Sequence, residues 1–475
     1  MNTFDLSRDE FRTLGHRVIE LMADAIDAER SDPVIRGITG PESRARIDGP
    51  LPEEGRPIDE VLARWSEDIL PYCRRHGHPR FFGYVCTSAD PLGMLADAMA
   101  SSLNQTVTAW RSTPMAIEVE RLVVRWLDQL IGFDGGGSGV LTSGGSSANL
   151  HGLACAAQRA EERADLPSGQ RGRLTLYLSR EGHLSMRKAA RLLGLAGDHV
   201  RILPVDGHRR MDVDGLIRSI REDRDRGLVP MAVCASAGTA NTGTIDPLRE
   251  IAQVCDDCRV WMHVDGSYGA PAATTDEYAW MRDAFARADS LSMDAHKWLF
   301  APADVGSILV RDEDLLHRTF AEHSEYTAVS QTDPIERYAM FDHGLEMTRR
   351  FRGLKVLTIL EARGRRGLRD VIARNIALRK HLDKRIDQHP RLEALGSELS
   401  IACFRYVPEG DCTAEQIDAV NRRIIDTIVG EGSSYMSPTT LDGRYSLRVC
   451  IVNFRTTEHD MDLLLDDIIR IGGAS

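Results

Sequence analysis

Near the N-terminus, Phe11, Leu14, Val18, Leu21, Met22 and Ile26 recur at three- and four-residue intervals among charged positions, which predicts one amphipathic helix. Ser7-Arg-Asp-Glu10 just before them has the spacing of a capping box, in which a hydroxyl and a carboxylate satisfy the free amides of a helix start. From Ser31 to Pro57 the period stops. Pro33, Pro41, Pro50, Pro52 and Pro57 with several glycines predict an extended connector rather than an element. Helical spacing returns over about Ile58 to Cys73, Leu95 to Ser102 and Met115 to Leu130.

From Val140 to about Ser307 the pattern changes to short β-rich runs alternating with helical stretches. The runs are Leu174 to Leu178, Val200 to Pro204, Met231 to Ala235, Arg259 to Val264, Ser290 to Met293 and Gly306 to Val310; helices such as Ala148 to Ala164, Val213 to Arg224 and Pro247 to Cys255 lie between them. Such alternation predicts a mostly parallel sheet covered by helices, with ligands held beyond the carboxyl ends of the strands. Phe320 to Phe341 is polar and aperiodic, contains Pro334, and reads as a long loop of the kind that serves as a lid. After Arg349-Arg-Phe-Arg-Gly-Leu-Lys355 a long helix is expected to run to about Ile386. A smaller α+β region follows, with strands over Leu399 to Tyr406 and Tyr445 to Asn453, a helix over Ala414 to Val429 and another capped near Thr457. The charge runs Arg221-Glu-Asp-Arg-Asp-Arg226 and Arg363-Gly-Arg-Arg366 read as solvated faces.

A length of 475 residues predicts two or three domains, and 42% hydrophobic with 27% charged residues fits a globular enzyme. The net charge of -12 argues against nucleic acid and anionic membrane surfaces. No apolar run reaches the roughly 20 residues of a membrane helix. Met1-Asn-Thr-Phe-Asp-Leu6 has no basic start leading into an apolar segment, so a secretory leader is not expected and the cytoplasm is the expected location. Nine cysteines are scattered. The lone pair Cys255 and Cys258 lacks the second pair of a zinc site, so reduced thiols and no metal are expected.

Candidate chemistry sits at four strand exits. In Ser292-Met-Asp-Ala-His-Lys-Trp-Leu299 a lysine follows apolar, strand-like residues, and burying an ammonium there is costly unless it is paired or used covalently. Lys297 is therefore a candidate to bind the aldehyde of pyridoxal phosphate; its alternative is a plain solvated lysine. Trp261-Met-His-Val-Asp-Gly-Ser-Tyr268 delivers Asp265 at a strand end, where a carboxylate can hold a pyridine nitrogen protonated or merely begin a turn. Leu141-Thr-Ser-Gly-Gly-Ser-Ser-Ala-Asn149 passes from strand through small residues into a helix, which suits a phosphate at Gly144, Gly145 and Ser146 or a simple helix cap. His183 follows Leu174-Thr-Leu-Tyr-Leu178 and is placed either to stack on a pyridine ring or to fill the core.

Asp294-Ala-His-Lys-Trp-Leu299, the Thr142 to Leu150 turn, His263-Val-Asp265 and the acidic-aromatic N-terminal segment together resemble the group II pyridoxal-phosphate amino-acid decarboxylases, from about Phe11 to the C-terminus. The resemblance implies the fold-type I transferase fold in a homodimer: an N-terminal helical arm over 1–86, a large cofactor-binding α/β domain over 87–355 and a small α+β domain over 356–475. It implies that Lys297 carries pyridoxal 5'-phosphate, that Asp265 meets its ring nitrogen, that His183 stacks on the ring and that His296 borders the phosphate. Tyr84, Cys86 and Thr87, with Thr106 and Thr108, then match substrate-pocket positions. Tyr326 matches the lid tyrosine that returns a proton to the product, with Tyr338 as the alternative. Two cofactor-facing positions depart from the family: Ala240 stands where a threonine contacts the ring, its role lost or passed to Thr239 or Thr242, and Asp294 replaces an asparagine near the phosphate. The threonines at 106 and 108 replace bulky apolar residues. The expected activity is decarboxylation of an L-amino acid, aromatic first. A glutamate- or diaminobutyrate-type substrate, an oxidative aldehyde synthase and a catalytically silent ligand-binding homologue are the alternatives.

Overall fold

A computed structural model describes residues 4–322 and 333–474. The chain divides into two compact units, one of Ala89–Lys380 with Gly396–Ala402, the other of Met1–Ser88, His381–Leu395 and Cys403–Ser475. The first holds a seven-stranded sheet of β1 (Gly139–Thr142), β2 (Leu174–Ser179), β3 (Val200–Leu203), β4 (Val229–Ser236), β5 (Trp261–Asp265), β6 (Ser290–Met293) and β7 (Gly306–Val310), in the order β1-β7-β6-β5-β4-β2-β3. Neighbours from β6 to β3 run parallel, and β7 runs against both β6 and β1. Strands β1, β2, β6 and β7 are buried along their whole length. Their buried side chains are mainly apolar, as a sheet covered on both sides requires, but β2 turns Thr175, Tyr177 and Ser179 to one face and β6 turns Ser290 and Ser292. The helix Gly145–Arg163 buries Ala148, Ala154, Ala156, Ala157 and Ala160, small residues that let its backbone approach the sheet closely.

The second unit opens with the helix Arg8–Ser31, started by the Ser7/Glu10 capping box as expected. It contains most of a four-stranded sheet of β8 (Leu392–Glu398), β9 (Ile401–Tyr406), β10 (Ser437–Leu441) and β11 (Arg444–Cys450), ordered β10-β11-β9-β8. The helices Ala414–Glu431 and Glu458–Gly473 bury apolar stripes, and both carry capping boxes, at Thr413 and Thr457.

The sequence pattern misplaced some elements. The presumed connector from 31 to 57 contains the helix Gly40–Ile47, with Thr39 and Glu42 forming its cap. Pro41 had counted as a breaker, yet in the first turn its missing N–H costs nothing. Strand β10 was missed because Pro438 and two threonines break its alternation, which an edge strand tolerates. The run from Arg221 to Arg226 is not wholly solvated. Asp223 is buried and accepts from the Tyr177 hydroxyl at 2.7 Å and from Arg201 at 3.1 Å. Among the described residues no helix is long and apolar enough to cross a membrane, and no cluster of three His, Cys, Asp or Glu side chains is arranged for a metal ion.

One buried ion pair anchors β1 and hence the turn that follows it. Arg349 Nη2 meets Glu120 Oε1 at 2.5 Å and the Leu141 carbonyl at 2.6 Å, while the Leu141 amide donates to Glu120 Oε1 at 2.9 Å. Both side chains are at most 4% exposed. Removing one partner of such a pair strands the other charge, so Arg349→Ala is expected to lower unfolding free energy by about 3–5 kcal/mol, read by denaturant titration.

Candidate active site

Strands β1, β2, β5 and β6 point the same way, and the four candidate segments leave their carboxyl ends. Asp265 closes β5. Its Oδ1 accepts the Ser267 amide at 3.1 Å and the Ser292 hydroxyl at 3.3 Å, and its Oδ2 accepts the Asn149 amide at 3.3 Å. Burial pushes its pKa up, but the Lys297 charge, the Ser267 hydrogen bonds and His183 outweigh burial and hold it below the usual carboxylate range. It is an anion at neutral pH.

Lys297 follows β6, and its Nζ lies 3.0 Å from Asp294 Oδ2. Asp294 is 2% exposed, and its Oδ1 is a buried oxygen without a hydrogen-bond partner. Two glycines make room for this carboxylate. A Cβ on Gly306 would stand 2.5 Å from Oδ1, and one on Gly145 would stand 2.9 Å from Oδ2 and 2.4 Å from Ser267 Oγ. Real Cβ contacts are never that short, so no side chain fits at either position. His296 is fixed at Nδ1 by the Val305 backbone at 2.8 Å, and a Cβ on Gly144 would lie 3.2 Å from its ring. No side chain caps the helix Gly145–Arg163, so its first-turn amides, with Ser146 exposed beside them, are presented to an anion.

His183 caps the helix Leu184–Leu192, its Nδ1 accepting from the Ser185 amide at 3.3 Å and lying 2.8 Å from the Ser185 hydroxyl. Partial burial lowers its pKa; Asp265 opposes this and Lys297 adds to it, so the ring is neutral. With Nδ1 accepting, the proton of the neutral ring sits on Nε2.

Other expected positions lie further out or elsewhere. Ala240 is exposed on the loop after β4, and Thr239 and Thr242 are buried with their hydroxyls 3.1 Å apart. Thr106 is exposed and Thr108 half-buried, its hydroxyl 3.2 Å from Ser112 Oγ. Tyr326 falls outside the described residues. Tyr338 is packed: its ring stacks on His343 at 4.6 Å with the Arg121 guanidinium 4.7 Å from its centroid, and burial drives its pKa up. Tyr84, Cys86 and Thr87 belong to the other unit. There Tyr84 adopts a positive φ of 53° with its hydroxyl 3.5 Å from that of Tyr435, and the Thr87 hydroxyl donates to the Val452 carbonyl at 2.5 Å.

Sequence reasoning did not single out Asn149, Ser185, Ser267 or Ser292 as site residues, although all four hold Asp265 or His183. One signal was available: Ser290 and Ser292 share one face of an otherwise apolar strand, and a hydroxyl buried there needs a partner.

The sequence model of the pyridoxal-dependent decarboxylase conserved domain matches residues 41–407. Over 457 residues the chain is 33% identical to an aromatic-L-amino-acid decarboxylase of Bacillus atrophaeus, covering 96% of this chain and 94% of that protein. It is 27% identical to a phenylacetaldehyde synthase of Petunia hybrida, over 94% of this chain and 91% of that one. Among solved structures, the Oryza sativa TDC with PLP and tryptamine superposes with a TM-score of 0.93 at 26% identity, covering 98% of both chains.

Proposed function

We propose, on the premise that this chain belongs to the pyridoxal-dependent decarboxylase family, that it converts an aromatic L-amino acid to the amine and carbon dioxide. The observation that carries the site assignment is the Asp265 carboxylate, which accepts from three donors and which the Lys297 charge, ahead of Ser267 and His183, holds ionised against burial. The aromatic substrate rests on the Bacillus atrophaeus and Oryza sativa relatives.

The donor set fits pyridoxal phosphate: an amine paired with a carboxylate, a fixed anion, and an uncapped helix start lined by glycine. Bound there, the cofactor supplies an electron sink for the pair left when the α-carboxylate departs. Lys297 holds it covalently, and Asp265 keeps the proton on its ring nitrogen. The amides at Gly144, Gly145 and Ser146 would hold the phosphate, and His296 and Asp294 would border that group. His183 would supply an N–H at Nε2, Ala240 would leave its position without a hydroxyl, and Tyr326, with Tyr338 as the alternative, would return a proton to the substrate α-carbon after carbon dioxide leaves. Thr106 and Thr108 shape the substrate pocket. The working form is a cytoplasmic homodimer with an arm over 1–86, a large domain over 87–355 and a small one over 356–475.

Measuring carbon dioxide release from the twenty amino acids, dopa and diaminobutyrate tests the activity, with tyrosine, tryptophan, phenylalanine or dopa expected to lead. A lead by glutamate or diaminobutyrate overturns the substrate class. Aldehyde with ammonia and hydrogen peroxide selects the synthase reaction, and silence toward every substrate overturns the proposal. Gly145→Ala is expected to weaken pyridoxal phosphate binding at least roughly tenfold in an absorbance titration, because its methyl has no space beside Ser267 and Asp294.

A further inference from the structure

Behind Asp265 and His183 lies a connected row of polar side chains that the chemistry above does not use. Trp261 Nε1 is 2.9 Å from Ser290 Oγ, which is 2.8 Å from His263 Nδ1. His263 Nε2 is 3.0 Å from Asn149 Oδ1. Asn149 Nδ2 lies 2.9 Å from Ser185 Oγ and 3.3 Å from Asp265 Oδ2, and Ser185 Oγ reaches His183 Nδ1 at 2.8 Å. Trp261, Ser290, His263, Asn149 and Ser185 are each at most 4% exposed. Space is kept for the row: a Cβ at Gly152, one helical turn beyond Asn149, would sit 2.7 Å from His263 Nδ1.

Every proton in the row is determined. The ionised Asp265 only accepts, so Asn149 turns its NH2 toward it and its oxygen toward His263. His263 must then donate from Nε2. Burial pushes its pKa to about 4, so it is neutral and its Nδ1 is bare. Ser290 gives its proton to that Nδ1 and takes the indole N–H, which can only donate. On the other branch, Ser185 accepts from Asn149 and donates to His183 Nδ1, which puts the His183 proton on Nε2.

We propose that Asn149, His263 and Ser185 are positioning residues for the decarboxylation, a single oriented hydrogen-bond row that couples the charge on Asp265 to the tautomer His183 presents. His263 touches neither Asp265 nor His183; it acts by holding the Asn149 amide in the one orientation that serves both. Without a donor at 263, the buried Asn149 oxygen loses that partner, and the amide that serves both Asp265 and Ser185 is held less firmly in place.

Two measurements test this, and only the second rests on the decarboxylase reading. Two-bond nitrogen–proton NMR of the protein carrying nitrogen-15 histidine, with and without pyridoxal phosphate, is expected to show His263 and His183 as neutral Nε2–H tautomers at neutral pH. A proton on Nδ1 of His263, or a charged His263, overturns the orientation. In kinetics, His263→Leu is expected to lower kcat roughly tenfold or more with KM changed less than about threefold, the scale that outer-layer partners command at metal sites. His263→Gln, whose amide still donates toward Asn149, is expected to restore kcat to within about threefold of wild type. Equal kcat in the two variants, whether high or low, overturns the positioning role. Wild-type protein inactive on every amino acid, with the NMR result intact, overturns the decarboxylase reading and with it this role, leaving the row as a structural device.

Discussion

Lys297→Ala is expected to abolish carbon dioxide release, to below roughly one part in ten thousand of the wild-type kcat, the scale at which loss of a covalent catalytic group is felt. The Lys297 amine lies 3.0 Å from Asp294, and its charge is the leading influence lowering the pKa of Asp265 against burial. Its removal therefore acts on two carboxylates as well as on cofactor attachment. Asp294 is buried with Oδ1 already unpartnered, and loses its only ion pair with a lysine among the described residues. Losing that partner inside the protein is expected to cost the fold about 1–3 kcal/mol. Borohydride reduction followed by peptide mass spectrometry separates the two effects. Wild-type protein incubated with pyridoxal phosphate gives a Lys297 peptide heavier by the reduced cofactor, and the variant gives none while remaining cooperatively folded. A variant that keeps more than about one hundredth of the activity, or a wild-type Lys297 peptide left unmodified, would falsify the assignment.

The four motifs that brought Lys297, Asp265, Gly144 and His183 together were legible because each combines a strand exit with a residue that is costly or pointless there without a task. Parallel strands deliver such residues to one edge, so period and chemistry point to the same place. What stayed hidden was whatever depends on contacts distant in sequence. Asn149 stood inside a quoted motif as its last residue, yet its significance comes from His263, 114 positions away, and Asp265, 116 away. Glu120 lies in an ordinary helical stripe, and only the meeting with Arg349 and Leu141 shows why a carboxylate is there. The helix Gly40–Ile47 was lost for a local reason, since proline was weighed as a breaker without regard to its position in the first turn.

Asp265→Asn is expected to lower kcat about a thousandfold while pyridoxal phosphate still binds. An anion beside a pyridine nitrogen raises its pKa, and a shift of about 3 units amounts to roughly 4 kcal/mol in favour of the protonated ring. An amide supplies no such charge. The substitution also has an internal cost that an isosteric swap ordinarily avoids. Both oxygens of Asp265 accept, so an asparagine can satisfy Ser267 and Ser292 with its oxygen only by turning its NH2 onto the NH2 of Asn149. Two donors then face each other, and the row to His183 loses its anchor. The loss in Asp265→Asn is therefore expected to contain part of the loss in His263→Leu. The double variant should fall short of the product of the single effects, with an interaction of about 1 kcal/mol or more. Steady-state kcat for wild type, the two single variants and the double variant decides the matter. Strict multiplicativity would show that Asp265 acts through its charge alone, and a kcat in Asp265→Asn within tenfold of wild type would remove it from the ring-nitrogen role.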